Sequence, residues 1–173
     1  NKIRHMKAIF LDIDGVIALE EQFMRNRPKF WKKHEWAKEL GVPYPFDEKC
    51  VALLNEIIEE RNAEIVISSD WRLHWDLVLM AEIFTRNGIK KMPRSMTKNM
   101  PVSMSWLEKN RANEIEAFIS HFDLKQFVIL DDLDLSRTFK TKEAVDRFVR
   151  TKDTQGLKEV NIKQKVIDTL TRV

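Results

Sequence analysis

The run Lys7-Ala-Ile-Phe-Leu-Asp12-Ile-Asp14-Gly15-Val16 constrains this chain more than any other feature. An apolar stretch stops abruptly at two acids one residue apart, and a glycine follows. Residues 8–11 read as a strand buried on both faces of a parallel sheet. In open α/β sheets, ligands bind beyond the carboxyl ends of such strands. Two carboxylates held together there repel each other strongly unless a cation lies between them. These ten residues therefore predict an α/β fold with a metal site and a carboxylate that has a chemical task.

The pattern recurs along the chain. Glu64-Ile-Val-Ile-Ser68 reads as a second buried strand. Gln126-Phe-Val-Ile-Leu130 is a third, ending in Asp131-Asp132-Leu-Asp134, and Arg147-Phe-Val-Arg150 is a fourth. Helices are predicted over about 48–61 behind an Asp47 cap, about 73–87 up to Asn87-Gly88, about 111–121 and about 161–171. Strands alternating with helices predict a Rossmann-like, doubly wound parallel sheet, with residues 1–173 as a single domain. Right-handed crossovers then bring the ends of the first three strands to one edge. Two insertions interrupt the pattern. Residues 16–46 are expected to be irregular, closing with Gly41-Val-Pro43-Tyr-Pro45. Residues 89–110 are expected to form a long basic loop with at most a short strand.

Composition excludes several classes. With 43% hydrophobic and 33% charged residues in 173, the chain is neither disordered nor too small for a core. No stretch approaches the roughly 20 apolar residues of a membrane span. The residues before the first strand are too few for a secretory leader. Cys50 is the only cysteine, so no internal disulfide forms and a reducing, cytoplasmic setting is expected. Position 56 is Glu, so Cys50 cannot head a Cys-x5-Arg phosphatase loop, and it is expected to be a core residue. The net charge is only +3, but it is uneven. Residues 25–38 carry Arg25, Arg27, Lys29, Lys32, Lys33 and Lys38 against Glu35 alone, and residues 86–111 are similarly basic. Such fields attract anionic substrates, although solvated surface charge explains them equally well. The chain closes on a helix at Leu170–Val173, which leaves room for a further domain.

The strand ends gather a chemical set. The first delivers Asp12 and Asp14. The second delivers Ser68, Ser69 and, just beyond, Arg72. The third delivers Asp131 and Asp132, with Arg111 at the head of the helix leading into it. Carboxylates, a hydroxyl and a guanidinium in one crevice are the parts for phosphoryl transfer. The bland alternatives are a turn-forming acid pair at Asp12/Asp14, a helix N-terminal acid cluster at Asp131/Asp132/Asp134 and a surface ion pair at Arg72.

With these residues in order, the chain resembles the haloacid dehalogenase (HAD) superfamily of phosphatases. Asp12-Ile-Asp14-Gly15 matches its first motif and Ser68 its second. Arg111 matches the basic third motif, where Lys is commoner, and Asp131-Asp132 the acidic fourth. The resemblance covers roughly residues 7–150. A closer likeness, carried by Ile67–Arg72 and Phe148–Leu157, is to a HAD branch found beside RNA-repair modules. The resemblance implies that Asp12 attacks phosphorus and forms an aspartyl-phosphate. It implies Mg²⁺ held by Asp12, the Asp14 carbonyl and Asp131 or Asp132. It makes Asp14 the proton shuttle, Ser68 a phosphoryl contact and Arg111 the charge that offsets it. Ser69 competes with Ser68, and Lys109 with Arg111; Arg72 is a candidate substrate contact and Asp134 a cap. Dehalogenases of the superfamily lack an acid at the position of Asp14, and its transport ATPases carry Thr there, so hydrolysis is implied.

The insertions are too short for full cap domains, and an open crevice suits a phosphate on a macromolecule. Trp31, Trp36, Trp71, Trp75 and Trp106 lie in or beside the rim segments. As aromatic walls they favour phosphotyrosine; as stacking platforms beside basic segments they favour a polynucleotide end; otherwise they are packing residues. The chain also resembles HAD phosphotyrosine phosphatases that intracellular bacteria deliver into host cells. A phosphoprotein is therefore the expected partner ahead of nucleic acid, and a non-catalytic phosphate-binding module is the alternative of another class.

Overall fold

The computed structural model describes residues 5–172. At its centre is a five-stranded, all-parallel sheet in the order β3-β2-β1-β4-β5. The strands are β1 Lys7–Leu11, β2 Glu64–Ile67, β3 Ser95–Met96, β4 Gln126–Asp131 and β5 Phe148–Arg150. The doubly wound α/β expectation holds. Side chains alternate between the faces, as the period of two in a strand requires. Ile9, Leu11, Ile65, Ile67, Val128 and Leu130 pack to one side with helices α4 Glu48–Arg61, α5 Leu77–Arg86 and α8 Ile162–Thr171. Ala8, Phe10, Val66, Phe127 and Ile129 pack to the other with α6 Leu107–Phe122 and α7 Lys142–Asp146. On that side Phe10 meets Phe118 and Phe127 edge-on, with ring centroids 5.6 and 5.9 Å apart.

The ladder continues one step past the strands. Asp12 N donates to Leu130 O, Ser68 N to Leu11 O, Thr97 N to Ile67 O and Thr151 N to Asp131 O, at 3.0–3.1 Å. Residues that follow different strands are thereby aligned along the carboxyl edge of the sheet.

Helix boundaries differ from expectation where capping competes with periodicity. The helix expected from 73 is split. Ser69 Oγ accepts from Trp71 N and caps a 3₁₀ turn, Asp70–Leu73, and Asp76 then caps α5 by accepting from Leu79 N. The helix expected from 111 begins at Leu107, because its first turn is exposed and carries no apolar stripe to announce it. Arg111 therefore sits in the second turn, not at the start. The 89–110 segment is a loop around the short β3, as expected.

The 16–46 insertion is more ordered than expected. It holds α1 Glu20–Phe23, α2 Arg27–Lys33 and α3 Glu35–Leu40. Helices this short have no stability alone and form only where packing supports them. Phe30, Ala37, Val42 and Phe46 join the core beneath α4 and α5, and Trp36 packs against it. Two tryptophans pin the segment through their indole N–H groups: Trp31 to Val42 O and Trp75 to Leu40 O, both at 2.8 Å. Asp47 closes it, capping α4 through Cys50 N while accepting from Gln22 and Lys158. Cys50 is buried, and burial pushes its thiol up to about 11, so it is a core residue and not a nucleophile at neutral pH. Among the described residues no helix is long and apolar enough to cross a membrane.

Candidate active site

Asp12, Asp131 and Asp132 meet where β1 and β4 end. One carboxylate oxygen from each lies within 4.8 Å of the others. Asp12 and Asp131 are buried and Asp132 half-buried. Gly15 makes this closeness possible: its φ is +82°, and a Cβ there would fall on the Asp132 side chain. Thr151 Oγ1 fixes the turn by donating to Gly15 O at 2.7 Å.

One cation is built in. Arg111, buried on α6, reaches Asp131 Oδ2 at 2.7 Å and Asp12 Oδ1 at 3.3 Å, and its other amino group lies 3.3 Å from Asp70. Burial works against its charge, but Asp131, Asp12 and Asp70 outweigh it and hold the guanidinium firmly protonated. Three carboxylates against one guanidinium leave a formal excess of two negative charges. Burial, followed by repulsion from Asp131, lifts the Asp12 carboxyl well above the ordinary carboxylate range, and burial raises Asp132 as well. An all-oxygen donor set with this charge excess fits a hard divalent cation, whose binding would reverse those shifts.

Asp14 stands outside that cluster. Its Oδ1 accepts from Tyr44 Oη at 2.7 Å and from Trp71 Nε1 at 3.2 Å. Among the described residues its Oδ2 accepts no hydrogen bond. Burial raises the Asp14 carboxyl, and the Tyr44 and Trp71 donors pull it back in part. Burial, with Asp14 beside it, pushes Tyr44 far up, so Tyr44 stays a donor. Ser68 Oγ, at the end of β2, is buried and has no hydrogen-bond partner among the described residues. An open cleft of about 520 Å³ adjoins Asp14, walled by Leu40 and Pro43 of the insertion and by Trp71, His74 and Trp75.

Residues 8–162 match the family model described as the HAD domain in Swiss Army Knife RNA repair proteins. The chain belongs to this family. Searches of curated proteins and of solved structures returned no match. For this HAD domain, membership indicates chemistry of the phosphatase type, and the acid cluster can hold a metal ion.

The remaining expected residues of the HAD domain divide sharply. Ser69 Oγ is engaged as the cap of the 3₁₀ turn, which leaves Ser68 as the free hydroxyl. Arg72 is buried beneath the site and is not positioned as a substrate contact. Its donors go to Thr97 O, Ser68 O and Ser69 O, and its second amino group pairs with Glu114 at 2.7 Å. It holds the β2 and β3 ends together. Lys109 is exposed and lies over the Trp106 ring, away from the acids. Asp134 is exposed and accepts from Ser136 in its own turn.

Three contributors escaped the sequence reading: Tyr44, Asp70 and Glu114. Tyr44 is the chain's single tyrosine, held between two prolines, a signal of a rigidly aimed side chain. Glu114 lies three residues after Arg111, on the same helical face, so a helical wheel anchored on Arg111 would have pointed to it. Asp70 had no local signal. Of the five tryptophans, only Trp106 is exposed, at 48%; Trp71 faces Asp14, and Trp31, Trp36 and Trp75 pack against the core.

Proposed function

We propose that this HAD domain is an Mg²⁺-dependent phosphomonoesterase that removes a terminal phosphate from a polynucleotide by way of an aspartyl-phosphate. The observation that carries this reading is the convergence of Asp12, Asp131 and Asp132 beside an Asp14 oxygen and a Ser68 hydroxyl that have no partner among the described residues. Asp12, Asp131, Asp132 and the Asp14 carbonyl would hold Mg²⁺. The ion supplies charge neutralisation that lets an anionic phosphate approach an anionic nucleophile.

Asp12 attacks phosphorus, forming an acyl-phosphate bond as the ester P–O bond breaks. The departing oxygen takes a proton from Asp14. Water then attacks phosphorus and gives its proton to Asp14. The bond to Asp12 breaks and inorganic phosphate leaves. Ser68 donates to a phosphoryl oxygen, and Arg111 offsets charge on the phosphoryl group while keeping Asp12 and Asp131 oriented.

The RNA-repair context in the family's description favours a polynucleotide over the phosphotyrosine first expected. Phosphate release from 3′- and 5′-phosphorylated oligoribonucleotides and from phosphotyrosyl peptides, with Mg²⁺ or with EDTA, tests the reading. Release from an oligonucleotide end that EDTA abolishes is expected. Release from the peptides alone, or indifference to EDTA, overturns it.

Tyr44 and Trp71 both occupy Asp14 Oδ1, so the proton to be transferred resides on Oδ2. Tyr44→Phe removes the shorter bond and frees the carboxyl to turn. The expected loss in kcat is about tenfold on an alkyl or nucleotide phosphate, a hydrogen bond to a charged group contributing about 1.5–3 kcal/mol. The loss should be much smaller on p-nitrophenyl phosphate, whose leaving group needs no proton. Equal losses on both substrates would rule out this role for Tyr44.

A further inference from the structure

The cleft beside Asp14 has an assignable occupant. Asp14 meets the oxygen that leaves, so whatever lies in an adjoining cleft belongs to the leaving group and not to the phosphate. Its volume, about 520 Å³, is within the range of small-molecule sites. Two of its walls are aromatic and apolar, Trp71, His74 and Trp75 against Leu40 and Pro43, and its inner end is acidic, with Asp14 and the Arg111-paired Asp70. The Trp71 and Trp75 rings lie 5.1 Å apart, tilted by 37°, and His74 stands 5.7 Å from Trp75. The indole N–H groups of both tryptophans are already engaged, so neither is a free hydrogen-bond donor. Trp71 is buried and backs the half-buried Trp75, which with the exposed His74 offers ring surface.

The same wall carries charge. Leu40 ends α3, and α2 and α3 with their N-terminal flank present Arg25, Arg27, Lys29, Lys32, Lys33 and Lys38 to solvent. None of these six forms an ion pair with another described residue. A second hollow of about 380 Å³ lies among Pro28, Trp31, Lys32, Glu35 and Lys38 on that face. Unneutralised cations next to an aromatic cleft make an environment for a single strand, in which bases stack and the backbone follows the charge.

We infer that the cleft is the subsite for the nucleoside that carries the phosphate, its base against Trp75 and His74, with the next nucleotides running over α2 and α3. The inference rests on the polynucleotide reading above. A single-stranded end is favoured, because only an unpaired base is free to leave its stack for an aromatic surface.

The test compares kcat/KM for a short oligoribonucleotide phosphorylated at whichever end is turned over, the same molecule abasic at its terminal residue, and the corresponding mononucleotide. The base-bearing end should exceed the abasic one by about fivefold to hundredfold, mostly through KM. Trp75→Leu should shrink that ratio toward one and Trp75→Phe should keep it. The advantage of the oligonucleotide over the mononucleotide should fall with added salt and in the Lys32→Glu/Lys33→Glu variant. Equal rates for abasic and base-bearing ends in the unaltered protein overturn the inference without any variant having to fold, and leave the polynucleotide phosphatase reading standing. Turnover of no oligonucleotide end, or preference for a phosphotyrosyl peptide, removes both.

Discussion

Asp12→Asn is expected to lower turnover roughly ten-thousandfold or more on every phosphate ester, while the protein stays folded. The amide keeps the shape of the carboxyl but is a far poorer nucleophile toward phosphorus. Stability should not suffer, because the change removes one of three acids crowded within 4.8 Å of one another. Burial and Asp131 already disfavour the Asp12 charge, so a neutral group is well tolerated there when no metal is bound. The second readout is metal binding. Saturating Mg²⁺ raises the Tm of any protein that binds it only when folded, by about 2.7 kcal/mol of stability at a hundred times Kd. That rise should be clear in the unaltered protein and much reduced in Asp12→Asn. Activity within tenfold of the unaltered protein would remove Asp12 as nucleophile. A full Mg²⁺ response in the variant would remove it as a ligand.

Arg111→Ala is expected to have the largest effect on stability. The guanidinium is 4% exposed, and it is the cation that contacts both Asp12 and Asp131. Its loss leaves two buried carboxylates without their counter-charge, a change that costs about 3–5 kcal/mol. In a domain of this size that corresponds to a Tm lowered by roughly 10 °C. The sign of the metal effect distinguishes this cause from simple cavity formation. A divalent cation supplies the missing charge, so Mg²⁺ should raise the Tm of Arg111→Ala by more than it raises that of the unaltered protein. Arg111→Lys keeps the charge and should recover most of the stability, but it loses the fork that spans Asp131 and Asp70. Thermal unfolding of the three proteins, with and without Mg²⁺, reads all of this directly. An Arg111→Ala protein that is destabilised but indifferent to Mg²⁺ would mean that Arg111 acts through packing alone.

Strands β1, β2 and β4 were readable because each is a short apolar run that ends at polar residues, whereas the two-residue β3, Ser95–Met96, has no such run. A strand buried on both faces of a parallel sheet has no other pattern to adopt. Helix α4 was readable at both ends because Asp47 announces its start and a strict apolar stripe runs from Val51 to Ile58. Helix α6 was mistaken at its start because its first turn faces water and carries no such stripe. The insertion was unreadable for a different reason. Its helices are too short to hold a period, and they exist because Trp31, Trp75 and Phe30 fasten them to the core. Arg72 was misjudged because a charged residue just past a strand end looks the same in sequence whether it faces a substrate or, as here, a buried glutamate on a distant helix, Glu114 of α6.

The amino-acid sequence by itself determined the sheet, the carboxyl edge at which chemistry is placed and the acids that gather there. Those follow from local patterns, apolar runs and abrupt acid pairs, which need no knowledge of distant residues. Only the tertiary structure decided which hydroxyl is free, which arginine faces the acids and which oxygen of Asp14 is open. These depend on Ser69, Glu114, Tyr44 and Trp71, which meet their partners across 2 to 57 positions of chain. Hydrogen bonds and ion pairs are satisfied by whatever the fold brings within about 3 Å, and one-dimensional spacing carries no record of that.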